Sequence, residues 1–341
     1  MNRKTFIGSI VPALASLPSL NIDADITMPF SANRTPPYLQ SGDLIGICCC
    51  SGYISLEDIQ PAINKIKEWG YTIRIGDTVG KRDFTFGGTD EERRNDLQSM
   101  LDDPAIKAIM FARGGYGAVR IIDDIDFEVF MSYPKWLIGF SDITIFHTHV
   151  NNNYKTATIH SKMCNSFPAD WSKAEPSQIQ SIESIRQCLA GEKINYSSPA
   201  SIHNRSGDGA GILVGGNLSL LQNISGTNSD IDTRHKILFL EDVDEYLYSI
   251  DRMLWNLLRT GKLDKLHGLI IGGFNRLKPD DPGEEFGRDI YQMVMEKVKN
   301  FQFPVCFDFP VGHQKHNVAL KCGVKFKLAV DLNGSILTET L

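Results

Sequence analysis

Apolar strand-like runs alternate with amphipathic helical stretches over the first half of the chain. Over the second half, short strands between Gly and Pro turns replace them. Together these predict an α/β fold in two parts, a parallel-sheet domain followed by a β-rich domain. The length of 341 residues allows two such cores, and 42% apolar with 22% charged residues fits a globular chain.

Residues 1–24 read as an export signal and leader. Asn2-Arg3-Lys4 gives a positive start, Phe6 to Ala15 is mostly apolar, and Ala13-Leu14-Ala15 has the small-x-small form of a cleavage site. The Arg3-Lys4 pair lacks the second Arg of a twin-arginine signal. The expected compartment is the periplasm. The alternative, in which these residues are a first strand or helix, leaves the chain in the cytoplasm.

From residue 40 the α/β domain begins. Leu44 to Cys50 is an apolar strand, and Leu56 to Trp69 carries Ile59, Ala62, Ile63, Ile66 and Trp69 on one helical stripe ended by Gly70. Tyr71 to Ile75 is a short strand, Asp90 to Leu101 a charged helix, Ile106 to Ala112 another strand, and Trp136 to Ile138 a further one. Strands spaced by helices of this length make βαβ units. The pattern places this domain at 40–160 and a polar, partly helical connection at 161–204. The β-rich domain spans 205–341, with strands near 211–214, 237–240, 269–271, 305–308 and 325–330. Trp69, Trp136 and Trp255 sit in periodic apolar stretches and are expected in the core, whereas Trp171 lies in the connection.

The net charge of −6 argues against nucleic acid or anionic lipid as the main partner. After the first few positions no run of about 18 apolar residues could span a bilayer. Seven cysteines, at 48, 49, 50, 164, 188, 306 and 322, include no Cys-x-x-Cys pair. Cys48 to Cys50 sit in an apolar run and read as small buried hydrophobes.

Three segments carry chemistry. Gly139-Phe140-Ser141-Asp142 follows an apolar strand and precedes a helical stretch. A serine at such a turn is either a nucleophile held above the sheet edge or a plain helix N-cap. Ile237 to Leu240 ends in Glu241-Asp242-Val243-Asp244-Glu245, which is either an acid that orients a histidine or a solvated turn. Pro310-Val311-Gly312-His313 puts a histidine in a turn, free to reach a partner. The order serine, acid, histidine matches hydrolases whose triad is assembled from loops at a sheet edge.

The segments Phe111-Ala-Arg-Gly-Gly-Tyr-Gly-Ala-Val-Arg120, Gly139-Phe-Ser-Asp142, Gly215-Gly-Asn-Leu-Ser219, Leu240-Glu-Asp242 and Gly312-His313 resemble, in order and spacing, those of the LD-carboxypeptidases, a serine-peptidase family that also contains the microcin C immunity peptidases. The resemblance covers about residues 40 to 335. It implies an N-terminal flavodoxin-like α/β domain, a C-terminal β-rich domain of swivelling-barrel type, an active site in the cleft between them, and a homodimer. By the same resemblance Ser141 is the nucleophile, Glu241 the acid and His313 the base. The N–H groups of Asp142 and of Gly114 or Gly115 form the oxyanion hole. Arg113, Tyr116 and Arg120, beside the Gly turn, are the candidates for binding substrate, with either arginine suited to a free carboxylate or else to a structural pair. Cys49-Cys50-Ser51-Gly52 stands where the family commonly has Ala-Pro-Ser.

The implied reaction is release of a C-terminal D-amino acid, D-Ala, from a murein tetrapeptide, with neither metal nor organic cofactor. The alternatives are a microcin-C-immunity type of peptidase acting on aminoacyl or peptidyl conjugates, and a module that clasps a muropeptide without cutting it. A metallohydrolase using His147 and His149, or His313 and His316, with acids from 241–245 is a further one.

Overall fold

The computed structural model describes residues 34–331 and 333–340, so the export signal expected over residues 1–24 lies outside the described residues. The elements run β1 (Leu44–Cys48), α1 (Gln60–Glu68), β2 (Thr72–Ile75), α2 (Asp90–Asp102), β3 (Ile106–Phe111), α3 (Glu128–Ser132), β4 (Trp136–Gly139), α4 (Thr144–Asn153), β5 (Thr158–His160), α5 (Pro176–Leu189), β6 (Asn195–Pro199) and β7 (Gly207–Asn217). They continue with α6 (Leu218–Asn223), β8 (Lys236–Val243), α7 (Leu247–Arg259), β9 (Gly268–Asn275), α8 (Ile290–Val298), β10 (Val305–Cys306), β11 (Leu320–Cys322), β12 (Lys325–Asp331) and β13 (Gly334–Glu339).

The first sheet has the order β11-β5-β4-β3-β1-β2. Its five N-terminal strands are parallel and run 2-1-3-4-5, the flavodoxin-like doubly wound order, while β11 joins antiparallel to β5. Apolar strands at β1, β3 and β4 are almost wholly buried because helices cover both faces. A Thr89–Glu92 capping box starts α2, and Gly70 at φ +91° lets the chain leave α1.

The second sheet has the order β10-β9-β8-β7-β12-β13-β6, parallel from β10 to β7 and antiparallel beyond. It curls until its ends meet. The backbone of Arg205 exchanges hydrogen bonds of 2.9 and 3.1 Å with Val305, and Cys306 of β10 lies 3.5 Å from the Ser198 hydroxyl of β6. Two strands cross the boundaries read from sequence: β6 falls within the expected connection, and β11 returns from the C-terminal half to the first sheet. All seven cysteines are buried thiols, with Cys48 and Cys50 on one side of the sheet and Cys49 on the other. Trp136 is buried as expected, but Trp255 is a correction. It is 42% exposed on the outer face of α7, because the buried stripe of that helix runs through Ile250, Met253, Leu254 and Leu257.

The two sheets meet at the start of α4. The backbone N–H of Asn217, at the end of β7, donates to the Thr144 hydroxyl at 3.1 Å. Gly216 passes so close that a Cβ there would lie 2.5 Å from the same oxygen, which requires glycine.

Candidate active site

The nucleophile candidate is placed by topology. β4 ends at Gly139, a single 3₁₀ turn spans Ser141–Ile143, and α4 begins at Thr144. Ser141 has φ +63°, a left-handed conformation that a non-glycine residue adopts only when its surroundings impose it. The strained turn lifts the hydroxyl clear of the sheet's carboxyl edge.

His313 and Glu241 arrive from the second sheet. The Ser141 hydroxyl lies 3.0 Å from His313 Nε2, and His313 Nδ1 lies 2.6 Å from Glu241 Oε2. A carboxylate only accepts, so Nδ1 carries the proton and Nε2 presents its lone pair to the serine. The same carboxylate oxygen accepts the backbone N–H of His313 at 3.1 Å. Glu241 is fully buried and the imidazole is 17% exposed, so the pair is shielded from water while the ring edge faces the groove.

The loop that carries His313 holds its shape through its own polar contacts. Gly312 at φ +103° brings the backbone so near Glu241 that a Cβ would sit 2.5 Å from the glutamate's Cβ. Its N–H donates to Asn317 Oδ1 at 3.0 Å, and Asn275 Nδ2 donates to the His313 carbonyl at 2.9 Å. The Phe140 ring packs against the imidazole with centroids 4.8 Å apart.

The glycine turn comes up against the hydroxyl. A Cβ on Gly114 would lie 3.3 Å from Ser141 Oγ, and Gly115 adopts φ +120° beside the Gly52 backbone. Asp142, the residue after the serine, is buried and is tied to both neighbouring turns. Its carboxylate accepts the Ser51 hydroxyl at 2.5 Å and the Ala118 N–H at 2.8 Å, while burial pushes its pKa up. Ser51 follows the three cysteines, so the departure at Cys49-Cys50 leaves this serine in contact with the site.

The three residues expected beside the glycine turn have partners within the chain. Arg120 is bidentate to Asp90 at 2.6–3.0 Å, Arg113 donates to the Tyr53 carbonyl at 3.0 Å, and the half-exposed Tyr116 ring packs on Phe86. The cations that line the groove beside His313 are Lys162, Lys173, Arg276 and Lys315, around a cavity of about 920 Å³. Sequence reasoning missed Lys162, Phe140 and Asn275. Phe140 lies within the Gly139–Asp142 motif, but Lys162 and Asn275 have no local sign in the sequence. The histidines of the metallohydrolase reading are dispersed: His147 bonds the Gly139 carbonyl at 2.8 Å and His149 contacts the Ser229 hydroxyl at 2.8 Å. Among the described residues no group of three or more His, Cys, Asp or Glu is placed to hold a metal.

Two family models match the chain, the LD-carboxypeptidase N-terminal domain over residues 45–161 and the LD-carboxypeptidase C-terminal domain over residues 210–328. The chain belongs to the LD-carboxypeptidase family. It is 32% identical to a Bacillus subtilis (strain 168) protein named "Probable murein peptide carboxypeptidase", over 87% of this chain and 92% of that one. The Escherichia coli microcin C7 self-immunity protein MccF is 24% identical over 79% of this chain and 85% of its own. The crystal structure of muramoyltetrapeptide carboxypeptidase from Oxalobacter formigenes superposes with a TM-score of 0.77 at 28% identity, covering 87% of this chain and 99% of that chain. This family member is therefore a serine-type peptidase of the LD-carboxypeptidase class.

Proposed function

We propose that the enzyme releases the C-terminal D-alanine from murein tetrapeptides by serine catalysis at Ser141, as part of peptidoglycan turnover. The observation that carries this is the unbroken relay from the Ser141 hydroxyl through His313 to the buried Glu241, at 3.0 and 2.6 Å, beside an open groove.

The chemistry follows from the relay. His313 Nε2 takes the proton as the serine attacks the scissile carbonyl, and gives it back to the leaving amine. Glu241 fixes the tautomer and stabilises the imidazolium. The N–H groups of Asp142 and Gly114 receive the developing oxyanion, each worth about 3 to 4 kcal/mol. Bonds from Ser51 and Ala118 to the Asp142 carboxylate hold the two donor segments together. The greater identity to a murein peptide carboxypeptidase than to MccF favours a peptide over an aminoacyl conjugate as substrate.

The test is to incubate the enzyme with tetrapeptides differing in the chirality of the last residue and weigh the products. Loss of only a D-configured residue, and none with Ser141→Ala, is expected. Release from an all-L peptide defeats the specificity, and full activity of Ser141→Ala defeats the mechanism. Export to the periplasm and a homodimeric state belong to the same proposal. They are checked by the N-terminal mass of the native protein and by light scattering.

A further inference from the structure

The register of the first sheet sets one cation beside the nucleophile. Gly139 of β4 pairs with His160 of β5, and the Ser161 N–H donates to the Gly139 carbonyl at 2.9 Å. Beyond that pair, Ser141 follows the end of β4 and Lys162 follows the end of β5, both at the carboxyl edge of the sheet. The Lys162 ammonium lies 5.5 Å from the centroid of the Phe140 ring, the ring that also packs on His313, and donates to the Gln314 carbonyl at 2.6 Å. An ammonium has three N–H donors, so this bond leaves capacity for an incoming acceptor.

The other groove cations each have a carboxylate partner. Arg276 pairs with Asp244 at 2.6 Å, Lys173 with Asp170 at 3.1 Å, and Lys315 with Glu175. Among the described residues lining the groove, Lys162 is the one cation with no carboxylate within ion-pair distance. Burial pulls its pKa down to about 8, against the opposing pull of the buried Glu241 carboxylate.

We propose that Lys162 binds the terminal carboxylate of the substrate and thereby selects chain ends over internal bonds. This rests on the carboxypeptidase reading above and names the residue that confers it. In a peptide the terminal carboxylate lies one residue, about 3.8 Å of chain, past the scissile carbonyl, so its anchor has to stand next to the nucleophile. Lys162 lines the groove with His313 and sits by the Phe140 ring, whereas the Arg120 guanidinium is taken up by Asp90. Lys162 is a specificity residue, outside the proton relay.

The experiment compares one tetrapeptide as free acid and as C-terminal amide, for wild type, Lys162→Met and Lys162→Arg. Binding of both peptides to the Ser141→Ala protein, with and without Lys162→Met, is measured by calorimetry in parallel. Wild type is expected to prefer the acid by about tenfold to a hundredfold in kcat/KM, the range of one charge-assisted bond. Lys162→Met should collapse that ratio to within about threefold through KM, and Lys162→Arg should restore most of it. A purely structural tie to Gln314 would lower acid and amide equally and leave the ratio intact, which overturns the proposal. If wild type releases no D-residue at all, the carboxypeptidase reading falls, and the binding arm still decides. Equal binding of acid and amide to Ser141→Ala rejects Lys162 as the anchor, and a preference lost with Lys162→Met upholds it.

Discussion

The serine turn and the histidine loop complete one relay but are built on different principles. Ser141 is fixed by regular structure: a buried strand, a helix, and a left-handed residue forced between them. His313 sits in irregular chain, and its position is the sum of bonds from Asn275, Asn317 and Glu241 and the contact with Phe140. One group is placed by the topology of a sheet, the other by local polar contacts. Damage to the strand, turn backbone or helix around Ser141 should therefore cost folding as readily as catalysis, whereas loss of a polar contact that holds the His313 loop should cost mainly catalysis.

Five substitutions probe that contrast. Ser141→Ala removes the proposed nucleophile and is expected to lower kcat about 10⁶-fold with a melting temperature close to wild type. Glu241→Gln keeps the shape but releases the tautomer, so a fall of about 10⁴-fold in kcat is expected in steady-state assays. A smaller loss would mean that the histidine loop orients the ring unaided.

Under the serine turn, burial lowers the pKa of His147 to about 4 and that of His160 well below its ordinary value. Between that value and the ordinary 6.5 the unfolded chain binds the extra proton, so stability should fall as pH drops through this window. The loss is about 3 kcal/mol from His147 alone. Urea melts at pH 7 and 4.5 measure it, and His147→Gln should flatten the slope.

Gly312→Ala forces a Cβ into Glu241 at a positive φ. A cost of about 2 kcal/mol in stability is expected, together with a loss of activity larger than that stability change explains. Asn275→Ala frees the His313 carbonyl and should cost about tenfold in kcat with little change in KM. An Asn275→Ala protein as active as wild type would show that the loop needs no support from β9.

The serine turn was readable from sequence because an apolar strand, Gly139-Phe140-Ser141 and a following helix are contiguous. The parallel run of β1 to β4 was readable from the alternation of strands and helices, whereas the flavodoxin-like order entered with the family resemblance. Convergence with Glu241 and His313 was not visible in spacing and entered through the family's motifs. Lys162 escaped because its place depends on β5, which at three residues is too short to show periodicity, and on a pairing register that no local pattern records. Arg113 and Arg120 were attractive because they flank the glycine turn in sequence. Yet the partner of Arg120, Asp90, is supplied 30 positions earlier by the first turn of α2. β11 was missed for the same reason as β5, and its crossing to the first sheet breaks the simple division at 205.

That crossing strand ties the molecule together in a way the two-sheet description understates. Residues 320–322 seal the flank of β5, so the stretch bearing the imidazole is clamped at one end to each half of the protein. Cutting the chain between the halves would strip β5 of its cover and leave a raw edge inviting foreign strands. Neither piece is a self-sufficient module, and opening the crevice widely would mean unzipping a β ladder rather than swinging a hinge.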